Sequence, residues 1–337
     1  MKVFDLHSDL FTDIAFRRAA GERRVFDRLH APVLRRAGVS SVICVFWVEP
    51  AFKDRPLKRF RELTEAVMAD LAESEYAVIQ PFHSVHTRSA NSMEDKIQIY
   101  LGLEGVTFAE EELAQSGGTA AGLLDEVTDQ QIQHTILVWN EHNAFATGTG
   151  AWNPRQSAGL TELGKQWITA SSSKGVMVDV SHLDKMSFWD VMETVDGPVI
   201  ASHSNARALC DHERNLTDDQ IRAIAGTGGL IGLNAYGEFV DADEPTVDRF
   251  IDHAVHLKEV AGIDHVAFGF DFIKFLEVHP LGDDLNIYTD GLSSVKQVPA
   301  LLKRMAERGF TEEEIEAISF RNAERFLHRM EERRRNL

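Results

Sequence analysis

Short apolar runs bounded by turn residues alternate along the chain with longer stretches in which apolar side chains recur every three or four positions. The first kind of run reads as a buried strand and the second as an amphipathic helix. Runs at 3–10, 41–48, 97–104, 135–140, 176–182, 199–204, 230–236 and 266–272 predict eight strands. Helical periodicity occupies, among others, 57–72, 160–173, 188–194 and 246–260. Thr217 with Gln220, and Thr311 with Glu314, fit the capping box, in which a hydroxyl and a side chain three residues on satisfy two free amides at a helix start. Strand and helix in regular alternation imply repeated βα units and a parallel sheet. An open doubly wound sheet would announce itself by a glycine-rich phosphate turn after the first strand. The sequence FTDIAF stands there instead. The expected fold is therefore a single-domain (β/α)8 TIM barrel spanning residues 1–337.

Composition narrows the partners. With 53 acidic and 35 basic side chains the formal net charge is −18, which repels phosphate backbones and anionic membrane surfaces. Neither nucleic acid nor membrane is expected as a partner, and a homodimer is compatible with the chain. Cys44 and Cys210 are the only cysteines, so no disulfide framework is implied and a reducing compartment fits. The opening MKVFDLHSDL carries charge inside any would-be targeting segment, and no apolar run reaches 18 residues. The chain is read as cytoplasmic and complete.

Metal-type residues collect at one end of the predicted strands. His7 and Asp9 close the first, Glu104 the third, His182 the fifth, His203 the sixth and Asp271 the eighth. Barrel active sites lie at the C-terminal ends of strands and in the loops after them. His7 and Asp9 are two residues apart, which on a strand places both on one face. Alone, such a pair reads equally as a packed histidine beside a helix-capping aspartate. Six such residues at the same end of five strands do not fit that bland alternative. Histidine nitrogens with carboxylate oxygens suit zinc, with iron, manganese or cobalt as substitutes. Five ligands are too many for one catalytic zinc that keeps a position open, so two Zn2+ per chain are expected, with Glu104 as the bridge between them.

The motifs resemble those of the renal (membrane) dipeptidase family of zinc metallopeptidases, within the amidohydrolase group of barrels. The resemblance is carried by DLHSDL at 5–10, LEG at 103–105, GLTELG at 159–164, VDVSH at 178–182, PVIASHSNAR at 198–207, RNLTDDQI at 214–221, GGLIGLN at 228–234 and GFDF at 269–272. It implies that His7 and Asp9 bind one zinc, that His182 and His203 bind the other, and that Glu104 bridges. It also implies that Arg214 grips the substrate's terminal carboxylate and that Asp271 relays protons. From the residue type alone Arg214 fits a surface salt bridge as well as a bidentate carboxylate clamp. Tyr236 falls where the family lines its pocket, with packing as the alternative. Mammalian members carry a substrate-contacting histidine after strand four in a Thr-His-Asn context. This chain has Val138-Trp139-Asn140 there. His142 either reaches the site in its place or stands on an exposed loop. A second departure, GFDFIK, keeps Asp271 but alters the loop that follows.

The implied activity is a zinc-dependent dipeptidase, with a D-residue at the C-terminal position of the substrate an open question. A metal-bridging hydroxide would be the nucleophile, the pKa of its parent water lowered from about 15.7 toward about 7. The segment 141–158, with Gly148, Gly150, Trp152 and Pro154, reads either as a lid or as an ordinary loop. Two other functions share these residues: an N-acyl-amino-acid deacylase or lactonase, and a metal-binding protein without turnover.

Overall fold

The computed structural model describes residues 1–82, 96–150, 158–281 and 287–336. Among these are nine strands: β1 (Val3–Ser8), β2 (Val39–Trp47), β3 (Ala77–Ile79), β4 (Ile97–Glu104), β5 (Ile132–Ile136), β6 (Met177–Asp179), β7 (Val199–Ala201), β8 (Leu230–Leu233) and β9 (Val266–Phe268). All neighbours are parallel, in the order β2-β1-β9-β8-β7-β6-β5-β4, and β2 also pairs with β4 from Ser41↔Gln98 to Trp47↔Glu104. That last ladder closes eight strands into a barrel, with helices such as Pro56–Ala72, Glu162–Lys174 and Val247–Ala261 outside. The expected (β/α)8 fold is the observed one.

The period-two alternation of β4 shows how the sequence builds both layers. Ile97, Ile99, Leu101 and Leu103 join the core beneath the helices, whereas Tyr100 joins a separate cluster with Phe4, Ile43, Val45, Met177 and Ile200. Ala323, Phe326, Leu327 and Met330 of the C-terminal helix Asn322–Asn336 belong to that cluster, so this helix plugs the barrel. Glycine is required where strands crowd: a Cβ at Gly232 or Gly269 would lie 1.9 or 1.6 Å from the Ser202 carbonyl oxygen.

Several expected strands end early. The runs at 176–182, 199–204, 230–236 and 266–272 leave the ladder at Asp179, Ala201, Leu233 and Phe268. The polar residues that follow them turn into loops at the barrel mouth, which is where the site forms. The run at 135–140 is displaced: β5 begins earlier, at Ile132, and ends at Ile136. β3 was not expected; it has three residues and pairs only with the start of β4, Ala77↔Ile97 to Ile79↔Ile99. Both expected capping boxes form, at Thr217 and Thr311.

Candidate active site at the barrel mouth

The end of β1, its following turn, the end of β4 and the loops after β6, β7 and β9 bring six side chains together. Glu104 stands at the centre. Its Oε1 lies 3.0 Å from His182 Nε2 and 3.6 Å from both His203 Nε2 and His7 Nε2. His7 Nε2 is in turn 3.7 Å from Asp9 Oδ2 and 4.0 Å from Asp271 Oδ1. The triads His7, Glu104, His203 and His7, Asp9, Asp271 each bring ligand atoms within 4.8 Å of one another and could hold a cation. Asp271 therefore approaches the cluster through Oδ1.

Asp9 does not lie on the strand with His7. β1 ends at Ser8 with an irregular register, and Asp9 precedes the helix Leu10–Ala19 without capping it by any side-chain hydrogen bond. Its Oδ1 is buried with no hydrogen-bond partner, as is His7 Nε2. Buried polar groups are normally paired, so this pair has the chemistry of ligands. His182 Nδ1 donates to Asn140 Oδ1 at 2.9 Å, which leaves Nε2 as a lone-pair atom facing His203 Nε2 at 2.8 Å. Ser202 Oγ lies 2.8 Å from His203 Nδ1 and 3.5 Å from His7 Nδ1, fixing the other two rings from behind. Three ring nitrogens and three carboxylates thus converge, a donor set that fits divalent ions.

Burial drives the electrostatics. It pushes Glu104 up to about 8, with His7 opposing and Asp9 adding to the rise, and it raises Asp271 in the same way. Burial disfavours charge on His7 too, but Glu104 and Asp9 against the ring raise its pKa well above the ordinary value. His182 and His203 are pushed well below theirs, by burial and then by Arg214 and His7. Positive charge among them would offset the burial that raises the two carboxyls, while His182 and His203, disfavoured as cations, keep the lone pairs a cation needs. Backbone strain accompanies the site. His182 (φ 67) and Asp271 (φ 56) are two of the four non-glycine residues with positive φ among the described residues, a conformation that costs of order 1–3 kcal/mol and gathers at functional sites.

A cavity of about 310 Å3 opens over the cluster, lined by Asp9, Glu104, His182, Arg214 and Asp271 on one side of its chemistry and by Trp47, Trp139, Tyr236, Phe239, Ile273 and Leu276 on the other. Arg214 is buried. One guanidinium nitrogen donates to the His203 carbonyl at 3.3 Å, its Nε has no partner among the described residues, and it lies over the Phe239 ring at 5.4 Å. Burial lowers its pKa to about 10, so it stays charged at neutral pH. This is not the exposed salt bridge that its residue type alone allowed. Tyr236 lines the cavity and also packs on Phe239.

His142 does not reach the site: it is exposed, with Nδ1 turned 3.0 Å from Thr147 Oγ1, because the residues around it form a local bridge. Of the segment 141–158, Gly150 touches the cavity, Gly148 bridges to Leu183, and Trp152 and Pro154 lie outside the described residues. Residues beneath the ligands escaped sequence reasoning. Asp5 Oδ1 accepts from the backbone of His7 and Phe270 at 3.3 and 2.9 Å. Asp179 Oδ1 accepts from Ser181 and Ser202 at 2.8 and 3.1 Å, while its Oδ2 meets His134 Nε2 at 2.7 Å. Asn234 donates to Asp271 Oδ2 at 3.0 Å. Asp5 and Asp179 each stand within three residues of a cluster histidine, which was their one visible signal, whereas Asn234 and His134 are remote in sequence from the residues they serve.

The sequence profile of the membrane dipeptidase family, peptidase family M19, matches residues 1–337. A Klebsiella pneumoniae protein described as uncharacterized, from the pqqA 5′ region, is 34% identical over 56% of this chain and 69% of its own. An uncharacterized dipeptidase of Schizosaccharomyces pombe is 32% identical over 66% of this chain, which spans half of that protein's length (50%). Among solved structures, a family M19 dipeptidase superposes with a TM-score of 0.81 at 23% identity, covering 98% of both chains. A Rhodobacter sphaeroides metallopeptidase, bound to a phosphinate mimic of L-Ala-D-Ala, superposes with a TM-score of 0.80 at 23% identity over 98% of this chain and 99% of its own. At that identity these structures show the common fold.

Proposed function

The chain belongs to the membrane dipeptidase family and is a hydrolase acting on peptide bonds, and from that premise we propose that it is a two-zinc dipeptidase. His7 and Asp9 would hold one ion, His182 and His203 the other, with Glu104 shared; the distances about Glu104 Oε1 support this division. Bound there, two zinc ions supply Lewis acidity and a water acidic enough to attack a carbonyl at neutral pH.

The protein's own groups do the rest. Arg214 binds the free C-terminal carboxylate: a buried guanidinium with an unpartnered Nε beside the cavity is the observation that carries the dipeptidase reading. Asp271 is held by Asn234 through Oδ2, so Oδ1 faces the cluster and takes the proton released on attack, then returns it to the departing amine. Acidic side chains around the cluster favour a free α-ammonium at the other end of the substrate, and the aromatic lining excludes water from the reacting bond.

The test compares a dipeptide with its N-acetylated form. Faster hydrolysis of the free dipeptide is expected. Preference for the acetylated compound would instead support an N-acyl-amino-acid deacylase, and preference for a lactone a lactonase.

A further inference from the structure

Trp47 and Trp139 stand between two cavities. Trp47 ends β2, continuing the interior row of Ile43 and Val45, and pairs in register with Glu104. Trp139 follows β5, its ring 5.1 Å from that of Trp47 and 6.2 Å from His182. Both rings line the catalytic cavity, and both line a second one of about 120 Å3 walled also by Val48, Pro50 and Pro56. Glu104 touches both spaces. The Trp47 indole nitrogen has no hydrogen-bond partner among the described residues, so ring packing holds its side of the partition.

The barrel order says which part of a substrate lies nearest. Trp47, Glu104 and Trp139 come from β2, β4 and the loop after β5, which are consecutive in the closed sheet. Arg214 and Phe239 come from the loops after β7 and β8, across the mouth. A substrate whose carboxylate is on Arg214 and whose scissile bond is over Glu104 therefore directs its amino-terminal residue toward the tryptophans. The chemistry of the second cavity then selects the side chain. Its Glu141 carboxyl is held at Oε1 by Thr107 Oγ1 at 3.0 Å and by the Trp139 amide at 3.4 Å. Lys53, exposed on the same wall, repels a basic group. The rest is apolar. A dry apolar cavity of about 150 Å3 holds benzene, so this one suits a leucine or methionine side chain.

We propose that the cavity behind the Trp47–Trp139 pair receives the side chain of the substrate's amino-terminal residue and selects large aliphatic residues there. This rests on the dipeptidase reading for its orientation. The experiment measures kcat/KM of the metal-loaded native protein on X-Ala, with X running through Gly, Ala, Val, Leu, Met, Trp and Lys. Burial of a leucine-sized side chain predicts a rise of roughly 10- to 100-fold from Gly to Leu or Met, and a fall at Trp and Lys. Val48→Phe, which fills the cavity, is expected to reduce the Leu-Ala to Gly-Ala ratio tenfold or more. A flat series, or a ratio unmoved by Val48→Phe in a protein that melts like the native one, overturns the proposal while leaving the dipeptidase reading intact. If no dipeptide turns over, intrinsic tryptophan fluorescence reads binding directly. Leu-Ala binding tighter than Gly-Ala and weakened by Val48→Phe then supports the cavity and refutes the hydrolysis, whereas equal binding refutes the cavity as well.

Discussion

The two halves of the cluster rest on the same device with opposite electrostatics. Beneath the oxygen-rich half, Asp5 joins the ends of β1 and β9 through the amides of His7 and Phe270. Beneath the histidine half, Asp179 joins the ends of β6 and β7 through the amides of Ser181 and Ser202. Both carboxyls are buried, at 3% and 1% exposure. Burial nevertheless raises Asp5 to about 7, with the two amides only partly opposing it, whereas Asp179 is lowered, its burial overcome first by the hydrogen bond and charge of His134. One histidine makes the difference. Desolvation disfavours a buried carboxylate and hydrogen bonds to its charged form favour it, so burial wins at Asp5 and the bonds from His134, Ser181 and Ser202 win at Asp179. Gly102 is what admits that histidine, since a Cβ there would lie 2.4 Å from His134 Nδ1.

Changes at the group shared by both halves should have the largest effect. Glu104→Gln is expected to lower the content of both metals and to reduce turnover by more than the 10- to 100-fold typical of losing an outer hydrogen-bond partner of a ligand, as read by elemental analysis and kcat on one preparation. Asp271→Asn should keep the ions and lose roughly 10²–10⁴-fold in rate, the range of general acid–base catalysis; an unchanged pH–rate profile would move the proton relay elsewhere. Arg214→Ala should lower kcat/KM for a dipeptide by roughly 10- to 150-fold, since a charge-assisted bond contributes about 1.5–3 kcal/mol. A dipeptide amide should be a poor substrate of the native protein and should suffer much less from the same change.

Smaller changes separate the halves. Asp179→Asn should weaken one of two metal-binding steps by about 10- to 100-fold and Asp5→Asn the other step, in calorimetric titrations of the metal-free protein. Weakening of the same step by both would remove the distinction. Acidity gives the mildest contrast. Asp5 at about 7 and Glu104 at about 8 in the metal-free fold lie above their ordinary unfolded values of about 3.9 and 4.3, so the fold binds more protons than the unfolded chain between those limits. The melting temperature of the metal-free protein should therefore fall as pH rises from about 6.5 to 8, above the range in which the lowered His182 and His203 act in the opposite sense. Asp179, lowered in the fold, acts in the opposite sense: its contribution is present above the ordinary carboxylate pKa and is lost on further acidification.

Much of this was legible along the chain because barrel strands have a period of two and end at the mouth. IQIYLGLE shows its outer apolar row and its inward Glu104 without any structure. The same logic overextended the strands carrying His182, His203 and Asp271, since apolar and polar residues past the ladder look like more strand when the turn is made by left-handed backbone at His182 and Asp271 rather than by glycine. Asp5 and Asp179 lay inside quoted motifs, yet their roles depend on amides from a second strand, Phe270 and Ser202, a pairing that only the closed sheet defines. Of the two readings of His142, the exposed loop position is the observed one, because the bridge to Thr147 turns its ring away although Asn140 is near in sequence.

The most direct measurement is a stepwise return of zinc to the chelator-treated protein, following hydrolysis of an unblocked dipeptide against ions bound per chain. A shared-ligand site predicts that full activity requires two ions per chain and that Glu104→Gln never reaches it. Full activity at one ion or none, or native two-ion behaviour in Glu104→Gln, would contradict the two-metal site.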